Sequence, residues 1–468
     1  MQSLWTVGEA VAATGGRPEK LSDGPLHSVS IDSREIELDA LFVAIKGDKL
    51  DGHDYVEAAL KAGAAAAIVS EAWFAAHGGD RLIVVPDPLE ALRGLARAAR
   101  ARSRATFVAV TGSAGKTTTK EAIRTVLAVA GPTHYSIKSF NNHWGVPLML
   151  ARMPREAAFG VFEIGMNHAG EITPLTKLVR PHIAVITTVA AAHLEFFNSI
   201  TEIAEAKAEI FLGMEEGGTA VLNADHDYLH VLFAKAREAG VRNIVTYGYD
   251  EEADWHIEPP EQAGARTFAK VTHDGKRYDL NLQLRGAHMV ANATAAMVVG
   301  RMVGVEPYVV LKVLTDLGAP EGRGEMTRLG PPEKPLLLID ESYNANVASM
   351  NAAMEVFSTV TAPGGYKVLV LGDMLELGPQ GIELHKSLKS AVLHTGATKV
   401  FLIGSTIEAL ANELGESRVT AHSRYIDPVV ETILAALAYG DAVMVKGSKG
   451  VRLALLVDTI KKRFASKA

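Results

Sequence analysis

An apolar run that ends in a glycine-bearing loop and then a lysine constrains this chain more than any other feature. Val108-Ala109-Val110-Thr111-Gly112-Ser113-Ala114-Gly115-Lys116-Thr117-Thr118-Thr119 reads as a buried strand, a tight turn and a helix beginning near Lys116. Glycines let backbone amides fold around phosphate oxygens, and the first amides of a helix point at an anion. Lys116 adds a mobile positive charge, and the Thr117 hydroxyl stands where such loops hold Mg²⁺. The full phosphate-loop spacing needs a glycine at position 110, which is valine here, so what remains is the shorter Gly-x-x-Gly-Lys-Thr. An ordinary glycine turn is the bland alternative, but few such turns set Lys-Thr at a helix start behind an apolar strand. The segment Gly112, Ser113, Ala114, Gly115, Lys116, Thr117 and Thr118 therefore reads as a nucleotide-phosphate site in an α/β fold.

The surrounding pattern fits. Before the loop, residues 41–45, 67–69 and 82–85 read as short strands, with helices over 55–66 and 89–104. After it, 159–164, 183–189 and 220–222 repeat the alternation of strand and helix. Residues 267–284, with Asp274-Gly275 between two runs, predict a β-hairpin. A Gly/Pro-rich stretch at 318–324 precedes a restart of the alternation, with strands at 336–339, 368–371, 400–403 and 442–445. That last pattern predicts a doubly wound sheet, which binds ligands beyond the carboxyl ends of its strands. The expected organisation is three α/β domains, 1–104, 105–318 and 319–468. The 468 residues agree with it at roughly 150 residues per domain.

Composition removes several function classes. With 48% hydrophobic and 22% charged residues the chain is ordinary for a globular protein and unlike a disordered one. The formal charge of −7 lacks the footprint of a nucleic-acid binder. The absence of cysteine excludes disulfides, thiolate metal sites and a cysteine nucleophile. The first twenty residues lack the basic-then-apolar pattern of a secretory signal. Apolar runs such as 183–192 fall short of the roughly 18 residues that span a bilayer. The expectation is a cytoplasmic protein with no nucleic-acid partner and no membrane insertion.

Two strand ends and one helix add chemistry. Glu163 ends the apolar run 159–164, and His193 follows the run 183–189. Each alone would be an ordinary loop residue. Beside a phosphate loop, the carboxylate suits Mg²⁺, which prefers oxygen donors, and His193 could coordinate a metal or a phosphate-bound water. Residues 199–213 open with Ser199-Ile200-Thr201-Glu202, a capping-box pattern. Ile203, Lys207, Ile210 and Phe211 then share one face of that helix. Lys207 either snorkels to water from this apolar stripe or is desolvated, with a depressed pKa and a neutral amine available for chemistry.

These motifs resemble those of the Mur ligases, over nearly the whole chain. In the first third the likeness rests on Asp32-Ser33-Arg34, Leu41-Phe42-Val43-Ala44-Ile45-Lys46-Gly47 and Asp51-Gly52-His53-Asp54. In the middle it adds the phosphate loop, Phe140-Asn141-Asn142-His143-Trp144-Gly145-Val146-Pro147, Glu163, His193 and Ala206-Lys207-Ala208-Glu209-Ile210-Phe211. In the last third it rests on Asp340-Glu341-Ser342-Tyr343-Asn344-Ala345-Asn346, Leu371-Gly372-Asp373-Met374 and Lys446-Gly447-Ser448. The Asn-Asn and Ser-Tyr-Asn-Ala-Asn segments are those of the branch that adds D-alanyl-D-alanine. Val347 departs from many relatives, which carry proline there, and the Asp-Asn-Pro-Arg motif of the diaminopimelate-adding branch is absent. Other Mur ligases and the folylpolyglutamate synthases, which share the short loop, are the runners-up. A nucleotide-gated binding protein that has lost catalysis is the alternative from another class, opposed by the intact set Lys116, Thr117, Glu163, His193 and Lys207.

The resemblance implies a UDP-substrate domain, a central ATPase domain and a Rossmann-like C-terminal domain. It implies ATP and Mg²⁺ as cofactors, UDP-N-acetylmuramoyl-tripeptide and D-alanyl-D-alanine as substrates, and a monomer. Carried over residue by residue, Ser33, Arg34, Asn141 and Asn142 contact the UDP-sugar-peptide, with Asn167 and His168 near the same cleft. Asn292 contacts adenine, and Arg323, Asp340, Glu341 and Asn344 reach the nucleotide from the C-terminal domain. Thr117 and Glu163 hold one metal ion, with a second metal region near His193 and Lys207. Lys116, Lys207 and His193 are the catalytic candidates, and Lys207 is expected to be carbamylated by CO₂ or, if unmodified, to pair with Glu163 or another acid.

Overall fold

The computed structural model describes residues 3–47, 49–264 and 266–465, arranged around three main sheets. In the first, the strands run in the order Arg17–Glu19, Leu82–Val85, Ala66–Ser70, Ala40–Val43 and Ser28–Ser30. All its pairs are parallel except the outermost, Arg17–Glu19 against Leu82–Val85. The expected helix over 55–66 is shorter. Asp51 accepts the His53 amide and starts a 3-10 turn, Gly52–Tyr55, so only Val56–Lys61 is α-helical.

The helix Pro88–Arg102 starts where Asp87 accepts the Leu89 amide and proline occupies the first turn. Its apolar face, with Leu92, Leu95 and Ala96, meets the helix Gly145–Ala151 in one core that also contains Met149, Leu150 and Phe162. The indole of Trp5 donates to the Ala151 carbonyl at 2.8 Å, and the Arg102 guanidinium lies 3.6 Å over the Trp5 ring. First and central sheets are thus joined through apolar packing.

The central sheet has ten strands. Its parallel part runs Trp255–Ile257, Asn243–Gly248, Thr219–Asn223, Ile183–Ile186, Thr106–Thr111, Phe159–Glu163 and Thr133–Tyr135. Phe107 through Val110 and Ile183 through Ile186 are buried throughout, as expected of strands covered on both faces. An antiparallel extension contains the expected hairpin, Arg266–His273 paired with Lys276–Leu282, turning through positive φ at Asp274 and Gly275. The chain leaves Thr106–Thr111 to build one side of the sheet and returns to build the other, so the phosphate loop sits at a topological switch point.

Two expected elements end early. The run 183–189 is a regular strand only over Ile183–Ile186; the Thr187 amide still donates to the Thr111 carbonyl, and the chain then follows the phosphate loop, the Thr188 carbonyl accepting the Ser113 amide. The helix over 199–213 is α-helical only for Ile200–Ala208 and tightens to a 3-10 turn, Glu209–Gly213. There Gly213 lies against the Thr176 backbone, where a Cβ would collide. The capping box is half formed. Ser199 accepts the Glu202 amide at 3.2 Å, but Glu202 accepts the Asn198 amide instead of the Ser199 amide.

The third sheet runs Glu325–Leu329, Leu336–Glu341, Ala442–Lys446, Lys367–Gly372, Lys399–Ile403 and Ala421–Ser423, parallel except for its first pair. Separate apolar clusters cover its two faces. Its contacts with the central unit include a polar seam: Asn346 Nδ2 donates to the Ser113 carbonyl at 3.0 Å, the Tyr343 and Ser139 hydroxyls meet, and His193 Nδ1 lies 2.6 Å from Glu376 Oε2. No helix among the described residues is long and apolar enough to cross a membrane.

Candidate active site

The phosphate loop has the backbone its glycines permit. Gly112 and Gly115 have φ of +151° and +81°. Lys116 Nζ donates to the Gly112 carbonyl at 2.7 Å, and Ser113 Oγ exchanges hydrogen bonds with the Ala190 backbone at 3.0 Å. Burial pushes the Lys116 ammonium below the ordinary lysine range; the nearby Glu163 opposes this and Arg323 reinforces it. A Cβ on Gly115 would lie 2.7 Å from Asn292 Oδ1, which already accepts from Thr119 Oγ1 at 3.0 Å. Gly115→Ala is therefore expected to cost about 1–2 kcal/mol through its left-handed backbone alone. The parent is expected to gain melting temperature on adding MgATP and the variant to show no such rise, a difference that a thermal-shift titration reads directly.

Glu163 ends its strand level with Val110 on the neighbouring strand, which puts its carboxylate under the loop. It is 1% exposed. Oε2 accepts from the Thr117 hydroxyl at 2.8 Å and Oε1 from Asn141 Nδ2 at 2.7 Å. A hydroxyl and a carboxylate in contact beneath a phosphate loop are the hard oxygen donors that Mg²⁺ prefers, so this pair fits the ion.

Above the loop lies a cavity of about 590 Å³ between the central and third sheets. Of the residues expected from sequence, Ser113, Ala114, Gly115, Lys116, Thr118, Asn141, Glu163 and Asn167 line it from the central unit, with His193 and Asn292. Arg323, Glu341 and Asn344 line it from the third. The remainder lie elsewhere. Gly112 backs onto Thr187, and Thr117 is buried in the first turn of the helix Lys116–Ala128. Asn142 Oδ1 accepts the Gly145 amide at 2.9 Å, a helix-starting role. His168 pairs with Glu171 at 2.9 Å and packs 4.3 Å from the Phe196 ring. Asp340 is buried and accepts the Ser342 amide and hydroxyl. Ser33 and Arg34 belong to a turn of the first unit, where the exposed Arg34 guanidinium grips Asp32 through two bonds.

Lys207 is 2% exposed, and its side-chain amine has no hydrogen bond or ion pair among the described residues. Burial, with help from the Lys116 charge, pushes its pKa well below the lysine range. The amine does not snorkel to water, and it does not pair with Glu163, whose oxygens are taken by Thr117 and Asn141. His193 adopts a left-handed φ of +58° and directs Nδ1 to Glu376. No group of three His, Cys, Asp or Glu residues among the described ones is set to hold a metal.

Several cavity residues were not singled out as site residues from sequence. Lys446 Nζ donates to Glu341 Oε2 at 3.2 Å and to the Asn344 carbonyl at 3.1 Å. Its signal was present, since it ends an apolar strand as Glu163 does. Asp225 follows a central strand and accepts the Tyr249 and Asp250 amides, and burial raises its pKa. Glu376 lies in a loop with no periodic mark.

Comparison with known proteins agrees with this geometry. Residues 110–300 match the Mur ligase middle domain, 322–449 the Mur ligase glutamate ligase domain, and 25–100 the Mur ligase family catalytic domain. The UDP-N-acetylmuramoyl-tripeptide–D-alanyl-D-alanine ligase of Rickettsia prowazekii is 32% identical, over 92% of this chain and 94% of that one. A crystal structure of MurF from Acinetobacter baumannii superposes with a TM-score of 0.84 at 27% identity, covering 98% of this chain and 99% of that one. MurF from Thermotoga maritima, solved in complex with ADP, gives 0.78 at 26% identity, covering 93% and 97%. With three domain models spanning most of its length and such a relative along nearly all of it, the chain belongs to the Mur ligase family.

Proposed function

We propose that this protein is an ATP-dependent amide ligase that joins D-alanyl-D-alanine to UDP-N-acetylmuramoyl-tripeptide in peptidoglycan precursor synthesis. The observation that carries this reading is a single cavity with a phosphate loop and the Thr117–Glu163 pair on one side, facing Arg323 and Glu341–Lys446 on the other. The relatives named for that reaction, and the one solved with ADP, support it.

A carboxylate does not condense with an amine in water because oxide is a poor leaving group. Transfer of the ATP γ-phosphoryl group to the tripeptide carboxylate gives an acyl phosphate. The dipeptide amine attacks its carbonyl carbon, and the tetrahedral intermediate expels phosphate. Lys116 and the loop amides hold the phosphates and offset charge that develops during transfer. Bound Mg²⁺ would neutralise further phosphate charge, and Thr117 and Glu163 would hold it. The Asn346–Ser113, Tyr343–Ser139 and Glu376–His193 contacts keep the two sheets together and exclude water that would hydrolyse the acyl phosphate.

Lys207 is read as carbamylated. Its neutral amine attacks the carbon of CO₂, a nitrogen–carbon bond forms, and one amine proton leaves to solvent, giving an anionic oxygen group. The buried, unpartnered amine supports this, since it is held in the form that reacts. We read the protein as a monomer, and substrates that include ATP suit a cytoplasmic enzyme. The test is mass spectrometry of reactions containing UDP-N-acetylmuramoyl-tripeptide, D-alanyl-D-alanine and MgATP. One phosphate should appear per amide product; equal yield without ATP rejects the activation chemistry. A parallel panel of other UDP-peptides and folates distinguishes the runner-up ligases.

A further inference from the structure

The charged groups around the cavity are nearly all committed to one another. Glu163 is held by Thr117 and Asn141, Asp225 by two backbone amides, Glu341 by Lys446 and Glu376 by His193. Among the lysines and arginines of the wall, Lys116 serves the phosphate loop and Lys446 is neutralised by Glu341. Arg323 and Lys449 have no carboxylate partner among the described residues, and both lie near one ring, Tyr343, at 4.2 and 5.8 Å from its centroid.

These two cations have different surroundings. Arg323 is close enough to the phosphate loop to act on the Lys116 ammonium, so it belongs with the nucleotide phosphates. Lys449 is exposed at the start of the turn Lys449–Val451. That turn is fixed beside Leu375: Ser448 Oγ accepts the Leu375 amide at 2.9 Å, and a Cβ on Gly450 would lie 2.7 Å from Leu375 Cδ1. Leu375 is 44% exposed and lines the same cavity. The turn that carries this free ammonium is thus packed on the segment that carries an exposed apolar side chain, and both line the C-terminal wall.

We propose that Lys449 binds the C-terminal carboxylate of the incoming dipeptide while Leu375 contacts its methyl groups. This deepens the ligase reading and rests on it. The dipeptide brings an amine that must reach the acyl phosphate beside Lys116 and a carboxylate that must stay away from it. Lys449 is the wall cation left to receive that carboxylate once Arg323 is assigned to the phosphates. A charge-assisted hydrogen bond is the strong kind and would make the carboxylate a specificity handle.

The experiment compares D-alanyl-D-alanine with D-alanyl-D-alaninamide, which lacks the negative charge, in the full-length protein and in K449Q and K449R. The parent should prefer the acid by about tenfold or more in kcat/KM. K449Q should raise KM for the acid by a similar factor with kcat and the KM for ATP retained, and should treat acid and amide alike. K449R, which keeps the charge, should keep the preference. A parent that uses both dipeptides equally, or a K449Q variant that still discriminates, overturns the assignment while leaving the ligase reading standing. A parent that forms no amide from either dipeptide overturns both.

Discussion

Lys207→Ala is expected to lose ligation by about 10²-fold or more, the scale seen when a group that stabilises transition-state charge is removed. The protein should remain folded, because no hydrogen bond or ion pair among the described residues runs through the Lys207 side chain, and a thermal melt of the variant checks this. Short-chain carboxylates added to the variant should restore part of the activity by filling the vacated space with an anionic oxygen donor. Lys207→Arg should not, since it restores charge of the wrong sign. The direct readout is carbon NMR of protein equilibrated with labelled bicarbonate, which should reveal a carbamate carbon in the parent and none in either variant. Full turnover in Lys207→Arg, or a parent with no carbamate signal at full activity, would falsify the modification.

For Lys116→Ala a drop of about 10²–10³ in turnover is expected, with a change of only about 1 kcal/mol in folding stability, the scale of one hydrogen bond. The asymmetry follows from the position of the side chain. Its single bond is to the Gly112 carbonyl within its own loop, so little of the fold depends on it. Turnover measured with saturating substrates, beside a thermal melt of the same preparation, separates the two effects. A correctly folded variant with parental turnover rejects the transition-state role.

The polar seam has a consequence for motion. The first and central sheets share one apolar core, through Leu92, Leu95 and Met149. The third sheet meets the central one at the cavity through hydrogen bonds such as Asn346–Ser113. Polar junctions of this kind favour relative domain motion, and apolar ones resist it. The cleft between central and third sheets is the joint expected to open for substrate.

What the sequence by itself determined is local. The strand, glycine turn and helix around Lys116 were legible because their signals lie within a dozen residues, and Glu163 because a carboxylate ending an apolar run stands out. The Asp274-Gly275 hairpin was legible for the same reason, since both positions take the left-handed backbone that such a turn requires. Lys207 could be placed on an apolar helical face, but periodicity could not say whether its amine reached water. Only the packing of Ile203, Ile210 and Phe211 into the common core decided that it did not. Likewise His193 and Glu376 are 183 positions apart, and Asn346 and Ser113 are 233 apart. No local pattern encodes such pairs, because hydrophobic periodicity reports which face of an element is buried and is silent on which other element covers it. Partner choice at this site was set by the tertiary structure, when the third sheet came to lie over the phosphate loop.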